Sequence, residues 1–568
     1  MCAIAPDTLR HWLARAWAPL FLLALGMWLV PWQHTCQLAC IPGDLGDARF
    51  NNVVLEHFHR WLNGSEERLL SPHFFHPMPG ASTFSDNHWG TAWIYSAFRA
   101  MGADRYIAFD LWYLTGFLLN FVVSHVVFRK MQFSPWASAV AAFAFTFALP
   151  ALARHGHAQL TYRFLVPLGL LLWQRCLADG RWRWFAAVSA VVVAQFAISI
   201  YLGYFLALLL VAWTLTDAVL DRQWPRPWLT RWYQQRQVSS ARERYLSIAL
   251  IAVAGIGLMA LLYPYLHYAR LYRFGRSLGE VSTMTPRLQS YLLADLSTIW
   301  GGLSAKLGAG IPARQEHQLF FGVGLLGLAL LGALRATTRQ ARVAMVSLLL
   351  LFVLTFTVGR YSLYLGLALL PGVGAVRAVA RIAVVMALPL ALLAATAVEA
   401  APRGRWVYRL LVMALVLCLV VEAATYRTEG FRFAEARQRV FALEQKLPGQ
   451  LAADMVVFNP LRTDEAFYVD ELDAVVMAQE TGLATLNGYS GNYPPGYKPE
   501  PELSACEQVK KRLRGAATFQ RRRPEVALNG PLVPRVWVLG QGLCATPASA
   551  APPSLPAAEP ATPADPRR

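Results

Sequence analysis

The chain has 568 residues, of which 56% are hydrophobic and only 15% are charged. Soluble globular domains carry roughly a quarter charged residues, so this composition excludes an ordinary soluble protein and indicates one embedded in a lipid bilayer. The net charge of +18 would suggest nucleic acid as a partner of a soluble protein. In a membrane protein the placement of the basic residues is more informative than their sum, and we expect no nucleic-acid partner.

Apolar segments of about the length that crosses a bilayer recur over the first three quarters of the chain and stop near residue 424. They predict an α-helical polytopic membrane protein with about 11 transmembrane helices. The predicted helices cover residues 16–31, 107–128, 135–152, 162–177, 184–200, 202–220, 246–266, 319–334, 343–358, 379–400 and 406–424.

Every second junction between these helices is rich in arginine or lysine, as cytoplasmic connections are. The N-terminus is therefore predicted inside, and the odd number of helices places the C-terminal region outside. In a Gram-negative bacterium this orientation means a multi-pass protein of the inner membrane with a periplasmic C-terminal domain. The basic residues at the inside junctions are Arg10, Arg15, Arg129, Lys130, Arg175, Arg181, Arg183, Arg222, Arg226, Arg231, Arg236, Arg242, Arg244, Arg335, Arg339, Arg342, Arg403, Arg405 and Arg409.

The pattern divides the chain into three parts. Residues 1–424 form the transmembrane part, which includes two long outside loops, residues 32–104 and 267–318, and loops of this length are usually functional. Residues 425–544 alternate predicted helices (434–447, 464–480 and 504–515) with short apolar strands (455–458 and 535–540), which predicts a small α/β domain. Residues 545–568 are rich in Pro and Ala and are predicted to be disordered.

Four of the seven cysteines fall in predicted outside segments. Disulfides persist only in oxidising compartments. We therefore predict the pairs Cys36–Cys40 and Cys506–Cys544, although four cysteines also allow other pairings and isolated thiols.

The first long loop begins with CIPGDLGDARFNN, which contains Asp44 and Asp47 in a Pro-Gly turn. Spacing alone favours one of them as the N-cap of the helix that follows. The same loop also contains Asp86 and the histidines His57, His59, His73, His76 and His88. Carboxylates beside histidines can act as a general base, bind a divalent cation or orient a polar substrate.

Charged and polar residues also gather at the outside ends of later predicted helices. Arginine and histidine there can hold a phosphate, or they can simply contact lipid head groups. The pair His155 and His157 is a weak metal motif, because no third ligand is near it in sequence. The candidate residues are His155, His157, Gln159, Arg270, Arg273, Glu316, Arg377 and Arg381.

In order along the chain, these motifs resemble the GT-C superfamily of membrane glycosyltransferases. The matching stretches are GDLGD in the first loop, HGHAQLTYRFLVPLGLLL after the third predicted helix, QEHQLFFGVGLLGL at the eighth, LALLPGVGAVRAVAR before the tenth and LATLNGYSGNYPPGY in the C-terminal region. The resemblance implies transfer of a hexose or pentose from an undecaprenyl-phosphate donor to a glycan, lipid or polymer of the cell envelope.

Under this resemblance, Asp47 or Asp44 would be the catalytic base or would hold a divalent cation such as Mg²⁺ or Mn²⁺. The paired-acid forms of the superfamily are not matched literally, so the cation and the choice of aspartate stay open. The residues implied at the phosphate are Arg377, Arg381, His155, His157, Arg270 and Arg273, and those implied as supporting or acceptor-side residues are Asp86, His88, Gln159 and Glu316.

Three other functions share parts of this pattern. They are a lipid-linked glycan transporter or flippase, an O-antigen ligase or polymerase, and a non-catalytic scaffold whose outside domain binds glycan or a partner. Transporters usually carry ionisable groups near the bilayer midplane. Here the ionisable groups gather at one face, which favours chemistry at that face.

Overall fold

The computed structural model of the protein describes residues 6–221, 229–230, 232–235, 239–359, 361–370, 372–449, 452, 455–532 and 534–544. The tail predicted to be disordered, residues 545–568, lies outside the described residues, as do four of the predicted cytoplasmic arginines, Arg222, Arg226, Arg231 and Arg236. Most of the described chain is α-helical.

The helices are, in chain order, α1 (Pro6–Leu29), α2 (Pro31–His34), α3 (Asp47–Leu62), α4 (Ala92–Ala100), α5 (Arg105–Lys130), α6 (Pro135–Thr146), α7 (Leu149–Leu152), α8 (Leu165–Asp179), α9 (Trp182–Ile198), α10 (Ile200–Leu220), α11 (Ala241–Tyr272), α12 (Leu278–Thr283), α13 (Gly301–Leu307), α14 (Val323–Leu334), α15 (Arg339–Thr355), α16 (Leu363–Leu367), α17 (Ala383–Ala400), α18 (Trp406–Ala424), α19 (Phe433–Glu444), α20 (Phe467–Thr481) and α21 (Ala505–Arg522). The strands are β1 (Cys40–Pro42), β2 (Thr357–Val358), β3 (Tyr361–Ser362), β4 (Gly430–Arg432), β5 (Met455–Phe458), β6 (Ala484–Thr485), β7 (Arg535–Val538) and β8 (Gly542–Leu543).

Each of the eleven predicted apolar segments contains a helix. Among the described residues, six helical stretches are long and apolar enough to cross a membrane, and two shorter apolar helices accompany them. The exact number of membrane crossings therefore stays a prediction. The six long stretches are Arg105–Lys130, Pro135–Leu152, Ile200–Leu220, Ala241–Tyr272, Val379–Arg403 and Trp406–Ala424, and the shorter helices are Trp182–Ile198 and Val323–Leu334.

The C-terminal region contains a four-stranded sheet in the order β6-β5-β7-β8. β5 runs parallel to β6 and β7, while β8 pairs antiparallel with β7. The three helices and two strands predicted here are present as α19, α20, α21, β5 and β7. β6 and β8 are only two residues long each, which is too short to leave an alternating pattern in the sequence. A disulfide joins Cys506 at the start of α21 to Cys544 after β8.

A two-stranded antiparallel sheet joins the first long loop to the segment that follows α18. β1 pairs with β4, so that Cys40 faces Arg432 and Pro42 faces Gly430. A disulfide between Cys36 and Cys40 closes the turn just before β1. The pairing fixes the strand that leads directly into Asp44 and Asp47.

The C-terminal region packs directly on α3. Arg49 of α3 is fully buried and forms an ion pair with Asp473 of α20. Gln479 donates a hydrogen bond to the carbonyl of Val53 (3.1 Å) and accepts one from Arg105 (2.9 Å). Side chains of α3, α19 and α20 share one hydrophobic cluster. The position of α3 therefore depends on the C-terminal region.

We predict that Asp473→Asn lowers stability by roughly 3 to 5 kcal/mol, because it removes the charge that compensates the buried Arg49. Thermal unfolding of the detergent-purified protein measures the change. Arg437→Ala is the matched control, since the Arg437–Asp104 pair is largely exposed and should contribute only about 0 to 1 kcal/mol. Equal unfolding temperatures for Asp473→Asn and the control would contradict the coupling.

Candidate functional site

Asp44 and Asp47 play different parts at the start of α3. The N-cap of α3 is Gly46 rather than either aspartate, but Asp44 Oδ1 accepts hydrogen bonds from the backbone N–H groups of Gly46 (3.2 Å) and Ala48 (3.3 Å) and so satisfies a free N–H group of the first turn. Asp47 is the first residue of α3, and its side chain is 43% exposed. Asp44 is the more exposed of the two aspartates, so both carboxylates are open to a substrate, and it is the contacts of Asp47 with other segments that distinguish it.

Two side chains from distant segments hold the Asp47 carboxylate. The Tyr489 hydroxyl donates a hydrogen bond to Asp47 Oδ1 (2.8 Å), and His157 Nδ1 lies 3.3 Å from Asp47 Oδ2. Arg381 Nη2 lies 2.9 Å from His157 Nε2. Glu316 Oε1 lies 3.3 Å from the same nitrogen, so Nε2 has both a donor and an acceptor beside it. Nδ1 faces the Asp47 carboxylate, which can only accept, so Nδ1 carries a proton there.

A buried ion cluster lies behind His157. Glu316 accepts hydrogen bonds from Arg381 through both carboxylate oxygens (2.5 and 3.2 Å), and Arg154 Nη1 lies 3.0 Å from Glu316 Oε2. The side chains of all three residues are at most 7% exposed. Burial alone would raise the pKa of the Glu316 carboxyl, but the two guanidiniums and His157 outweigh it and hold that pKa well below its usual value.

The turn that carries Arg154 and His157 is held by buried polar contacts with the neighbouring helices. The Arg163 guanidinium donates to the carbonyls of Phe145 (3.3 Å) and Thr146 (2.9 Å), where α6 ends and its last carbonyls lack helical partners. The Asn120 amide donates to the carbonyl of Thr161 (2.7 Å) and accepts from the backbone N–H of Arg163 (2.9 Å). These contacts fix the loop between α7 and α8 on the rest of the bundle.

A second basic pair lies beside the C-terminal loop. Arg276 Nη1 and Arg377 Nη1 both donate to Glu280 Oε1, at 3.0 and 2.9 Å. Arg276 Nη2 also donates to the carbonyl of Gly491 (2.7 Å). Both arginines are partly exposed. One carboxylate cannot use all the N–H donors of two guanidiniums, so this arginine pair can bind an anionic oxygen.

Asp86 and His88 support the site rather than line it. Asp86 bonds to the start of α10, where it accepts hydrogen bonds from the hydroxyl of the N-cap residue Ser199 (2.5 Å) and from the backbone N–H of Ile200 (2.9 Å). Burial raises the pKa of the Asp86 carboxyl to about 6, although these hydrogen bonds by themselves would lower it. His88 Nε2 lies 2.6 Å from the amide oxygen of Asn51. The Asn51 amide nitrogen in turn donates to the backbone carbonyls of Asp47 (2.7 Å) and Gly156 (3.1 Å).

Four of the remaining candidates stand apart from these contacts. Arg270 and Arg273 are exposed, and within the described part of the chain neither bonds to a residue of the site. The ring of His155 bonds to the carbonyl of Leu152 (3.1 Å), and burial lowers its pKa. Gln159 is buried in the loop between α7 and α8.

Sequence reasoning did not single out Glu280 or Tyr489 as site residues. Arg276 and Glu280 are four residues apart, a spacing typical of helical ion pairs, and Tyr489 lies inside the stretch that carries the resemblance. These two signals were available in the sequence.

The sequence left open whether the site holds a divalent cation, and the described residues offer no set of ligands for one. Among the described residues, no group of three or more His, Cys, Asp or Glu side chains could hold a metal ion. Each oxygen of the Asp47 carboxylate already has a protein partner, and Glu316 is bonded by two arginines. We therefore derive no chemical step through a cation.

The raised pKa of Asp86 has a measurable consequence for stability. The folded protein keeps the Asp86 carboxyl proton up to about pH 6, whereas an unfolded aspartate loses it near pH 3.8. The contribution of Asp86 to the free energy of unfolding therefore falls as the pH rises from 3.8 to about 6. Asp86→Asn does not titrate and keeps a side-chain oxygen that accepts hydrogen bonds.

We expect the unfolding free energy of the wild type to fall by about 1 to 2 kcal/mol relative to Asp86→Asn between pH 5 and pH 8. Thermal unfolding in detergent at the two pH values measures it. If the difference in unfolding free energy between the two proteins did not change with pH, or if the wild type became relatively more stable at pH 8, the raised pKa would be contradicted.

The chain aligns with solved structures of other proteins. The Archaeoglobus fulgidus oligosaccharyltransferase in its apo form aligns with a TM-score of 0.50 at 11% identity, over 90% of this chain and 68% of that chain. ArnT from Cupriavidus metallidurans in the apo state aligns with a TM-score of 0.41 at 15% identity, over 81% of this chain and 84% of that chain. At such identities the likeness establishes the fold alone, and the GT-C fold expected from the motifs is confirmed.

Sequence comparison gives the family of the chain. No curated protein sequence matches it. Residues 57–430 match the family model described as a domain of unknown function, DUF6311, and the chain belongs to that family.

Proposed function

We propose that the protein is a membrane glycosyltransferase that moves a sugar from a polyprenyl-phosphate donor to an acceptor hydroxyl, with Asp47 as the base. The observation that carries the proposal is the partly exposed Asp47 carboxylate, which Tyr489 and His157 hold in front of the buried cluster of Glu316, Arg154 and Arg381. The arginine pair Arg276 and Arg377 lies at Gly491, two residues along the chain from Tyr489. A fixed carboxylate next to positive charge is what direct transfer from a phosphate-linked sugar needs.

In the proposed reaction the acceptor hydroxyl gives its proton to Asp47 as its oxygen attacks the anomeric carbon of the donor sugar. The bond between that carbon and the phosphate oxygen breaks, and polyprenyl phosphate leaves with inversion at the anomeric carbon. The carboxylate oxygens of Asp47 each have one protein partner, which leaves lone pairs for the acceptor. The proton on His157 Nδ1 orients the carboxylate.

The arginines are assigned to the leaving phosphate, whose charge grows in the transition state. Arg377 and Arg276 are partly exposed and share a single carboxylate, Glu280. Arg381 is buried and tied to Glu316 and His157, so it acts on Asp47 through the histidine. We assign direct phosphate contact to Arg276 and Arg377.

We further propose that this site lies on the periplasmic side of a bacterial inner membrane, with the N-terminus in the cytoplasm and residues 425–544 outside. The basic residues at alternate junctions support this orientation. The two disulfides support it as well, because Cys36–Cys40 and Cys506–Cys544 lie in segments that this orientation places outside.

Asp47→Asn tests the role of the base. We expect sugar transfer from radiolabelled polyprenyl-phosphate sugars to envelope acceptors to fall by about 100-fold to 10,000-fold, because the amide cannot take the proton. Asp44→Asn is the matched control, since the Asn side-chain oxygen can accept the same backbone hydrogen bonds, and its transfer rate should stay close to wild type.

Full turnover by Asp47→Asn would contradict the assignment of the base. If the purified protein moved the donor lipid across proteoliposome membranes without forming a product, a flippase would replace the transferase.

Binding of undecaprenyl phosphate tests the phosphate assignment. Native mass spectrometry of the detergent-solubilised protein should show about tenfold weaker binding for Arg276→Ala and Arg377→Ala, because each loses a charge-assisted hydrogen bond. Arg270→Ala should bind as the wild type does, since Arg270 is exposed and outside the site. Unchanged binding in the first two variants would contradict the assignment.

A further inference from the structure

A separate basic cavity lies along α21 in the C-terminal region, and we call it the α21 cavity. It has a volume of about 530 Å³, is open to solvent and is lined by Arg514, Ala517, Thr518, Gln520, Arg521 and Leu532. Four of these residues, from Arg514 to Arg521, are spaced i, i+3, i+4 and i+7, so they lie along one stripe of the helix. Both arginines are exposed.

The α21 cavity has two guanidiniums and no carboxylate among its lining residues. Three other basic residues of this segment are paired with acids: Lys511 with Glu500, Arg512 with Glu471 and Arg523 with Glu525. Within the part of the chain that the structure describes, neither Arg514 nor Arg521 forms an ion pair. The positive charge of the cavity is therefore available to an anionic ligand.

The two cavity arginines also have hydrogen-bond donors to offer. Arg521 Nη2 donates to Thr518 Oγ1 (3.4 Å), which leaves the hydrogen of the Thr518 hydroxyl for a ligand. Each guanidinium carries five N–H groups in a planar fork that matches the oxygens of a phosphate. Ala517 and Leu532 add apolar surface between them. The cavity therefore suits a ligand that has both a phosphate and an apolar part.

The packing of α21 places this cavity at the end of an apolar helix. The ring of Phe519 stacks on that of Tyr272, with centroids 4.9 Å apart. Tyr272 is the last residue of α11, which is long and apolar enough to cross a membrane. Leu532 of the cavity packs against the same hydrophobic cluster as these two rings. The α21 cavity is therefore tied to the end of α11.

The end of α11 lies at the level of the lipid head groups. The apolar part of this helix ends near Leu266, six residues before Tyr272. At the rise of an α-helix this is about 9 Å, whereas the head-group region extends roughly 5 to 8 Å beyond the hydrocarbon core on each side. Arg270 and Arg273 are exposed at the same level. A lipid head group can therefore reach the segment on which the cavity is built.

We propose that the α21 cavity binds the phosphate of an anionic phospholipid head group through Arg514 and Arg521, and that this contact seats the C-terminal region on the membrane surface. The site is outside the proposed transferase chemistry and does not depend on it. Anionic lipid surfaces attract clustered basic residues. A free phosphate offers the same oxygens but gains nothing from the apolar surface of Ala517 and Leu532, so the lipid is the favoured source.

The test is native mass spectrometry of the detergent-solubilised full chain, titrated separately with phosphatidylglycerol, phosphatidylcholine and inorganic phosphate. We expect phosphatidylglycerol to bind about tenfold more tightly than the other two probes, because phosphatidylcholine has no net charge and inorganic phosphate has no apolar part. Arg514→Gln and Arg521→Gln should each weaken phosphatidylglycerol binding at this site about fivefold, because each removes one charge.

Arg522→Gln is the matched control, because Arg522 is exposed and adjacent to Arg521 but does not line the cavity. It should bind phosphatidylglycerol as the wild type does. Equal weakening by Arg522→Gln would show attraction to charge in general and overturn the inference, as would unchanged binding by Arg514→Gln and Arg521→Gln. Inorganic phosphate bound as tightly as phosphatidylglycerol would show a site for free phosphate and overturn the head-group assignment.

Discussion

The burial of Glu316 between Arg154 and Arg381 is the constraint on which the rest of the site depends. An unpaired charge in such a position would be very costly, so the three side chains can be buried only together. They come from the turn after α7, the end of the second long loop and the segment before α17. Pairing them brings these segments into one place and leaves Arg381 pointing at His157, which in turn faces Asp47.

The C-terminal region contributes residues to the site and does not only pack against the helical part of the chain. It supplies the tyrosine hydroxyl that bonds to Asp47, the carbonyl that accepts from Arg276 and the buried Asp473 that neutralises Arg49 of α3. Tyr489 and Asp473 lie in different parts of this region, one in the loop after β6 and the other in α20. A change in how the region packs would therefore move the contacts of both the Asp47 carboxylate and Arg276.

Much of the fold could be predicted from the sequence, because long apolar runs and alternating elements are local signals. Every predicted apolar segment contains a helix, and the larger elements of the C-terminal region lie where they were predicted. The site was harder to predict, because its contacts join residues hundreds of positions apart. Spacing suggested that Asp44 or Asp47 is the N-cap of α3, whereas Gly46 occupies that position in the folded chain and Asp44 bonds to the backbone N–H groups of Gly46 and Ala48. By sequence, Arg270, Arg273 and Arg276 are equally good candidates for binding a phosphate. In the folded chain the side chains of Arg270 and Arg273 are exposed, whereas Arg276 donates a hydrogen bond to Glu280.

The central claim is that this chain uses Asp47 to add a sugar to an envelope acceptor. The most direct measurement is mass spectrometry of envelope glycans and lipids from a deletion strain, complemented with the wild-type gene or with Asp47→Asn. If Asp47 is the base, one sugar is missing in the deletion strain, returns with the wild type and does not return with Asp47→Asn produced at the same level. Identical envelopes in all strains, or full restoration by Asp47→Asn, would contradict it.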